Sequence, residues 1–395
     1  MRCSVRNGHC VWCYGCLASR RHRVNGAAAQ VSTGVIIDDA AYAGTVAYHP
    51  VDVVALGESM VTFLPSRPGR LADVPSFDRA IGGAESNVAC ALAAAGHTAR
   101  WVSRVGADGF GQHLVEGIAG YGVDTSAVRT DPARPTGIYF RTAADRATDT
   151  HEVAYYRAGS AASAMAVDTV DLAAVRAGRV LHLSGITAAL SDACRDLLYE
   201  LTAPRPGRPL ISFDVNYRPA LWRHASDGPR VLLELARRAD IVFVGDDEAR
   251  DAWSLHGGRA ILTALPEPAI VVVKQGKGGA TAFDKITDGS TADADGTATF
   301  VRAPKVDVLA HVGAGDAFAA GFLSGTLRGL PVRDRLRYGH LFAAAALTTP
   351  GDLAPPPTRD HADRLSALDD TAWGRLRLGP GWTQAERATE EANTP

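Results

Sequence analysis

No apolar run in this 395-residue chain approaches the ~20 residues that a membrane-spanning helix needs, which argues against a membrane protein. Charge of one sign is missing as well. The formal net charge is -2 and the body carries no long basic run, so nothing in the composition calls for nucleic acid or a membrane surface as partner. Lysine is sparse beside arginine, a bias read here as genomic in origin. There is no internal repeat, and no G-x-G-x2-G follows the first strand-like run, which excludes the usual dinucleotide-binding dehydrogenase pattern. Cysteine is scarce beyond the first sixteen residues: Cys90 and Cys194 stand singly in apolar helical contexts, as small buried hydrophobes of a reduced, cytoplasmic protein do.

The other four cysteines, Cys3, Cys10, Cys13 and Cys16, lie beside His9 with a C-x2-C-x2-C spacing that would suit zinc or an iron-sulfur cluster. Their flanks show no strand or knuckle pattern, and Arg20-Arg21-His22-Arg23 runs into an Ala/Gly/Ser-rich stretch. Residues 1–46 therefore read as a disordered extension, of the kind a start codon assigned too far upstream would add. The arginines follow the weakly apolar stretch instead of preceding it, so this is not a secretory signal.

What is present is an alternation of strand-like and helix-like pieces. Val51–Glu58 is a short β-branched run closed by glycine. Residues 62–79 are polar and proline-punctuated, and Gly82-Gly83-Ala84-Glu85-Ser86-Asn87 then leads into a small-residue helix stopped at Gly96. Strands are expected at Ala99–Val105, Arg179–Leu183, Pro209–Asp214, Asp240–Val244 and Ala269–Lys274, with helices at Phe110–Tyr121, Ala193–Leu201, Arg230–Arg238, Asp316–Arg328 and Arg335–Thr349. Runs such as Ile270-Val271-Val272-Val273 are apolar on both faces, the mark of a parallel sheet covered by helices on each side. Gly137–Thr142 and Glu152–Arg157 break the pattern: two strand-like pieces with no helix between them, an antiparallel excursion with one face left for something else to cover. The last dozen residues read as a loose tail.

The densest chemistry is His311-Val312-Gly313-Ala314-Gly315-Asp316. Small residues let the backbone approach a ligand, and the free N-H groups of a helix start bind anions, so Gly313, Ala314 and Gly315 form a candidate phosphate cradle. A carboxylate in such a cradle would be repelled by the phosphate unless it served to take a proton from the attacking group. A helix start with acidic capping and close-packed glycines is the alternative. Gly82-Gly83-x3-Asn87 can likewise present N-H groups and an amide to a polyhydroxylated ligand.

Together, and in this order, the two glycine motifs resemble the paired signatures of the ribokinase-like, or PfkB-type, sugar kinases, over about Val51 to Pro357. Within that family, Tyr155–Ala162, His182–Thr187 and Asp214–Trp222 are similar to the 2-keto-3-deoxygluconate kinases. The resemblance implies an α/β fold: a three-layer α/β/α body with a mostly parallel central sheet and a small β lid. The kinase domain would span residues 47–380, the lid about 62–80 and 136–160, and a loose tail 381–395. It implies ATP-dependent phosphorylation of 2-keto-3-deoxygluconate at its terminal hydroxyl, with magnesium, and an oligomer formed through the lid. Fructokinase, a kinase of another keto-deoxy acid, and a weakly catalytic sugar-acid sensor stay open as alternatives. Asp316 would be the base, and Gly313, Ala314 and Gly315 the anion hole. Gly83, Asn87, Tyr139, Tyr155, Arg157 and Arg218 would contact the sugar, the arginines because guanidinium recognises a carboxylate by a planar two-point contact. Lys274, Gly276 and Gly279 would border the nucleotide phosphates, and Glu248 would anchor the metal through water.

Two departures stand out. Gly245 occupies a position where the family usually has asparagine, which leaves Asp246 or Asp247 to compensate or to be plain turn acids. Ala310-His311 replaces a pair that commonly carries a carboxylate. The resemblance therefore does not extend to activation by a monovalent cation, and a protonated His311 is the candidate source of charge instead.

Overall fold

The computed structural model describes residues 48–142, 152–223, 225, 227–285, 297–310 and 312–384. Eight strands form one sheet in the order Thr297–Val301, Ala280–Asp284, Ile270–Lys274, Ile241–Gly245, Leu210–Asp214, Gly178–Ser184, Val51–Leu56 and Ala99–Val102. Ala280–Asp284 pairs antiparallel with both of its neighbours, Thr297–Val301 and Ile270–Lys274, and all the remaining pairs are parallel.

Side-chain alternation splits the core between the two faces of this sheet. Val242, Val244, Val271 and Val273 pack on one side with Leu197, Leu198 and Leu201 of helix Asp192–Thr202 and Val231, Leu232 and Leu235 of helix Gly228–Arg237. Ile241, Phe243, Ile270 and Val272 pack on the other with Val88 and Leu92 of helix Ala84–Ala94, Phe318 and Phe322 of helix Ala314–Leu327, and Leu336 and Leu341 of helix Val332–Leu347. The result is helix, sheet, helix, and both faces are buried because the central strands have no polar side to offer water.

The same register fixes where polar groups go at the strand ends. Asp214 pairs with Phe243, and Lys274 lies two residues beyond Val272, the partner of Phe243. Asp214 and Lys274 therefore point to the face that carries helix Ala314–Leu327, at the carboxyl edge where open α/β sheets hold ligands.

A second sheet forms the lid. Met60–Pro65 runs antiparallel to Phe77–Gly82 and parallel to Ile138–Arg141, which pairs antiparallel with Val153–Tyr156. One of its faces holds Phe63 stacked on Phe140 at 4.6 Å, with Phe110 of helix Gly109–Gly120 edge-on to Phe63. Thr62, Tyr139 and Tyr155 share the opposite face by register. The outer strand leaves Tyr155 and Tyr156 exposed.

Two expectations need correction. The run Ala99–Val105 is not one strand: it ends at Val102, and Arg104–Gly106 leaves to pair with Arg129–Asp131, drawn by the Arg104 to Asp131 ion pair at 2.7 Å. The tail does not begin at 381, since Trp382 is buried in the core beside Ala362 and Trp373 and a tryptophan there gains more from burial than chain disorder would return. Residues 1–46, with Cys3, Cys10, Cys13 and Cys16, and residues 385–395 lie outside the described residues. No helix among the described residues is long and apolar enough to cross a membrane.

Candidate active site

Helix Ala314–Leu327 opens at Gly313, whose φ of 76° is left-handed and whose missing Cβ leaves room for the backbone carbonyl of Asp352. The first helical bond runs from Ala317 N-H to Gly313 O at 2.9 Å, so the N-H groups of Ala314, Gly315 and Asp316 precede the intrahelical ladder. Asp316 sits in this first turn. Its Oδ2 accepts a 2.9 Å hydrogen bond from Nδ2 of Asn87, 229 positions earlier, which brings the two glycine motifs into one site. Burial pushes the Asp316 carboxyl up to about 7, and Asp214 adds to that, against the Asn87 bond and the charges of Arg218 and Lys274. Gly83, just before the Asn87 helix, is extended, and a Cβ on it would come within 2.6 Å of the Glu58 carbonyl.

Lys274 reaches back across the end of the neighbouring strand to Asp214, donating to Oδ2 at 2.8 Å and Oδ1 at 3.1 Å. Burial disfavours its charge, but the carboxylates of Asp214 and Glu248 outweigh that and hold the ammonium above its ordinary pKa. Gly276 and Gly279, with φ of 54° and 137°, shape the turn after Lys274. Glu248 Oε2 accepts the N-H of Gly245 at 2.7 Å, closing its own helix start, and Oε1 lies 3.6 Å from Arg218 Nη1. Asp246 Oδ1 is buried without a hydrogen-bond partner. No group of three or more metal-ligating side chains occurs among the described residues. One glutamate and a nearby unpartnered carboxylate oxygen fit a magnesium ion held by phosphates and water, with a single protein anchor, and do not fit an all-protein cage.

The lid closes the other side. Tyr139 donates its hydroxyl to Asp352 Oδ2 at 2.6 Å and Arg141 Nη2 donates to Oδ1 at 2.8 Å. The Tyr155 ring lies 5.4 Å from that of Tyr139 and is stacked under the Arg157 guanidinium at 5.8 Å. Arg157 forms an ion pair with buried Glu58, which also accepts Ser160 Oγ-H at 2.5 Å. Each arginine expected to meet a substrate carboxylate thus already faces a carboxylate of the protein, Arg157 with only a small part of its side chain exposed and Arg218 half-exposed.

Several site residues carry no role in the sequence reading. Glu85 lies inside the quoted first motif; its Oε1 accepts from Ser184 and Thr187, both at 2.7 Å, and burial pushes its carboxyl up. Asp214 and Asn216 lie inside another quoted motif, and Asn216 holds a left-handed φ of 42° with Oδ1 buried and unpartnered. The period-2 alternation that puts Tyr139 on the inner face of the lid also puts Arg141 there. Nothing local marks Asp352. His311 lies outside the described residues.

The model for the pfkB family carbohydrate kinases matches residues 51–359. The 2-dehydro-3-deoxygluconokinase of Bacillus subtilis is 34% identical over 323 residues, covering 80% of this chain and 96% of that protein. The 2-dehydro-3-deoxygluconokinase of Thermoproteus tenax is 33% identical over 320 residues, 80% and 95%. Among solved structures, the PfkB protein of Polaromonas sp. JS666 superposes with a TM-score of 0.66 at 31% identity, covering 80% of this chain and all of that one.

Proposed function

The chain belongs to the pfkB family of carbohydrate kinases, and from this premise we propose that it phosphorylates 2-keto-3-deoxygluconate on its terminal hydroxyl with ATP, as a cytoplasmic enzyme. The observation that carries the reading is the Asn87 to Asp316 hydrogen bond, which sets a half-buried carboxyl of raised pKa at the start of a helix whose first N-H groups precede the intrahelical ladder.

In this reading Asp316 takes the proton of the sugar hydroxyl as its oxygen attacks the γ-phosphorus of ATP. The new oxygen to phosphorus bond forms as the bond to ADP breaks. The N-H groups of the Gly313–Gly315 turn hold the migrating phosphoryl, and because the transition state is loose, positioning and charge do most of the work. Gly83 and Asn87 meet the sugar hydroxyls, Tyr139 and Tyr155 line the lid side, and Arg157 and Arg218 receive the carboxylate. Lys274 with Gly276 and Gly279 borders the ATP phosphates. Magnesium, with Glu248 as its anchor, would neutralise charge on those phosphates. Exposed Tyr155 and Tyr156 on an edge strand support assembly of copies through the lid.

One observation favours a second reading. Because Glu58 and Glu248 already pair with Arg157 and Arg218, the site could take a neutral ketose, as a fructokinase does. ADP release from Mg-ATP with 2-keto-3-deoxygluconate, 2-keto-3-deoxygalactonate, fructose and ribose separates the two. Turnover of the keto-deoxy acids alone supports the first reading, turnover of fructose alone supports the second, and binding of acids without ADP release supports a sensor.

The Arg157→Met variant is expected to raise KM for the sugar acid by about 10–100-fold with kcat little changed, the value of one charge-assisted contact. It should also lower the melting temperature, because Glu58 would be left buried without its cation. Adding Glu58→Gln should restore the melting temperature and leave KM high. Steady-state kinetics and thermal melts on the two variants check both halves.

A further inference from the structure

The mechanism above gives the buried carboxylate of Asp214 no task. Asp214 is 2% exposed at its side chain. Its Oδ1 accepts the N-H of Asn216 at 3.1 Å, so the backbone of the strand end fixes the carboxylate in place. Both of its oxygens accept from Lys274 Nζ. That ammonium lies 3.7 Å from where a Cβ on Gly315 would sit, at the lip of the phosphate cradle.

A lysine on a flexible four-carbon stem needs something to hold it there. The carboxylates whose charges reach Lys274 are Asp214 and Glu248, with Asp316 a weaker third, and its ion pair is with Asp214. Pairing with Asp316 instead would neutralise the carboxylate that must accept the substrate proton. We propose that Asp214 is a positioning residue of the phosphoryl-transfer site: it holds Lys274 beside Gly315, where the ammonium meets phosphate oxygens, and keeps it off the base Asp316. This rests on the kinase reading with Asp316 as base.

The groups that face Asp316 are Asn87 from helix Ala84–Ala94, Asp214 and Lys274 from the sheet edge, and Arg218 from the loop after Asp214. Asparagine at 214 is isosteric but removes the negative charge nearest the ammonium. Lys274 then turns toward Asp316, and a cation replaces an anion as its near neighbour.

The test is the pH dependence of kcat/KM for the full-length chain and its Asp214→Asn, Lys274→Met and double variants, with Asp316→Asn as control. In Asp214→Asn the acid limb should move down by about one pH unit and plateau kcat should fall about 10–100-fold, the range for a mistuned or misplaced base. The double variant should be no worse than Lys274→Met, since Asp214 acts through Lys274. The double variant also lacks the unpaired buried cation, so it serves the comparison if Asp214→Asn alone folds poorly. An unmoved acid limb in Asp214→Asn, or losses in the two single variants that multiply in the double, would overturn the inference. Activity retained in Asp316→Asn would instead overturn the base assignment itself.

Discussion

Replacing Asp316 by asparagine is expected to lower kcat by about 10²–10⁴ while ATP and sugar still bind, because the amide fills the same space and cannot take the hydroxyl proton. The side chain is half-buried and bonded to Asn87 at 2.9 Å, so a swap of this size leaves the packing of the helix start intact. In the unaltered protein kcat/KM should fall on the acid side with a midpoint near 7, since only the carboxylate form accepts a proton and burial holds the carboxyl at about 7. Stability should respond with the opposite sign. The folded carboxyl is held at about 7, against 3.8 for an ordinary aspartate, so the fold binds this proton more tightly than the unfolded chain does. Its contribution is complete below about pH 4 and is lost as pH rises through 7. Asp316→Asn cannot lose it, and its melting temperature should fall less than that of the unaltered protein between pH 4 and 7. Equal falls in the two would show that Asp316 ionises normally.

The parts of this molecule that were legible in the sequence are those whose signal is local. A run such as Ile270–Lys274 is apolar at every position but the last, so it announces a central strand whatever lies around it. The Gly-Ala-Gly-Asp turn announces a helix start because no other residue types leave those N-H groups so bare. Partnerships across long separations left no such mark. Tyr139 and Asp352 are 213 positions apart, and the aspartate follows a helix end with nothing beside it to suggest a charge partner. Glu58 follows the first strand, and nothing beside it points to Arg157, its partner 99 positions away. The run Ala99–Val105 divides after Val102, where Arg104–Gly106 turns to pair with Arg129–Asp131 and Arg104 meets Asp131, a partner the run itself does not announce. Propensity reports what a segment tolerates, and the tertiary partner decides which sheet it joins.

Gly313 is the position where one methyl group should do the most damage. Alanine there must hold a φ of 76°, which costs an L-residue about 1–2 kcal/mol, and its Cβ would collide with the backbone carbonyl of Asp352, an atom that no rotamer change can move aside. Relief comes only by shifting the helix start or the Asp352 loop. The first displaces the N-H groups that hold the phosphoryl, and the second pulls on Tyr139 and Arg141, which both donate to the Asp352 carboxylate. A shift of about 1 Å in such a site costs on the order of 10² in rate, and loss of a single anion-hole donor costs on the order of 10²–10³. Gly313→Ala is therefore expected to lose at least about 10² in kcat, with a lower melting temperature. Gly315→Ala is the matched control: its Cβ would meet nothing nearer than Lys274 Nζ at 3.7 Å, and its backbone is already helical. That variant should melt like the unaltered protein. Single-turnover rates of Gly313→Ala and the unaltered protein at saturating ATP decide the matter, and equal rates would mean that the left-handed turn at Gly313 is not what aims the N-H groups at the phosphoryl.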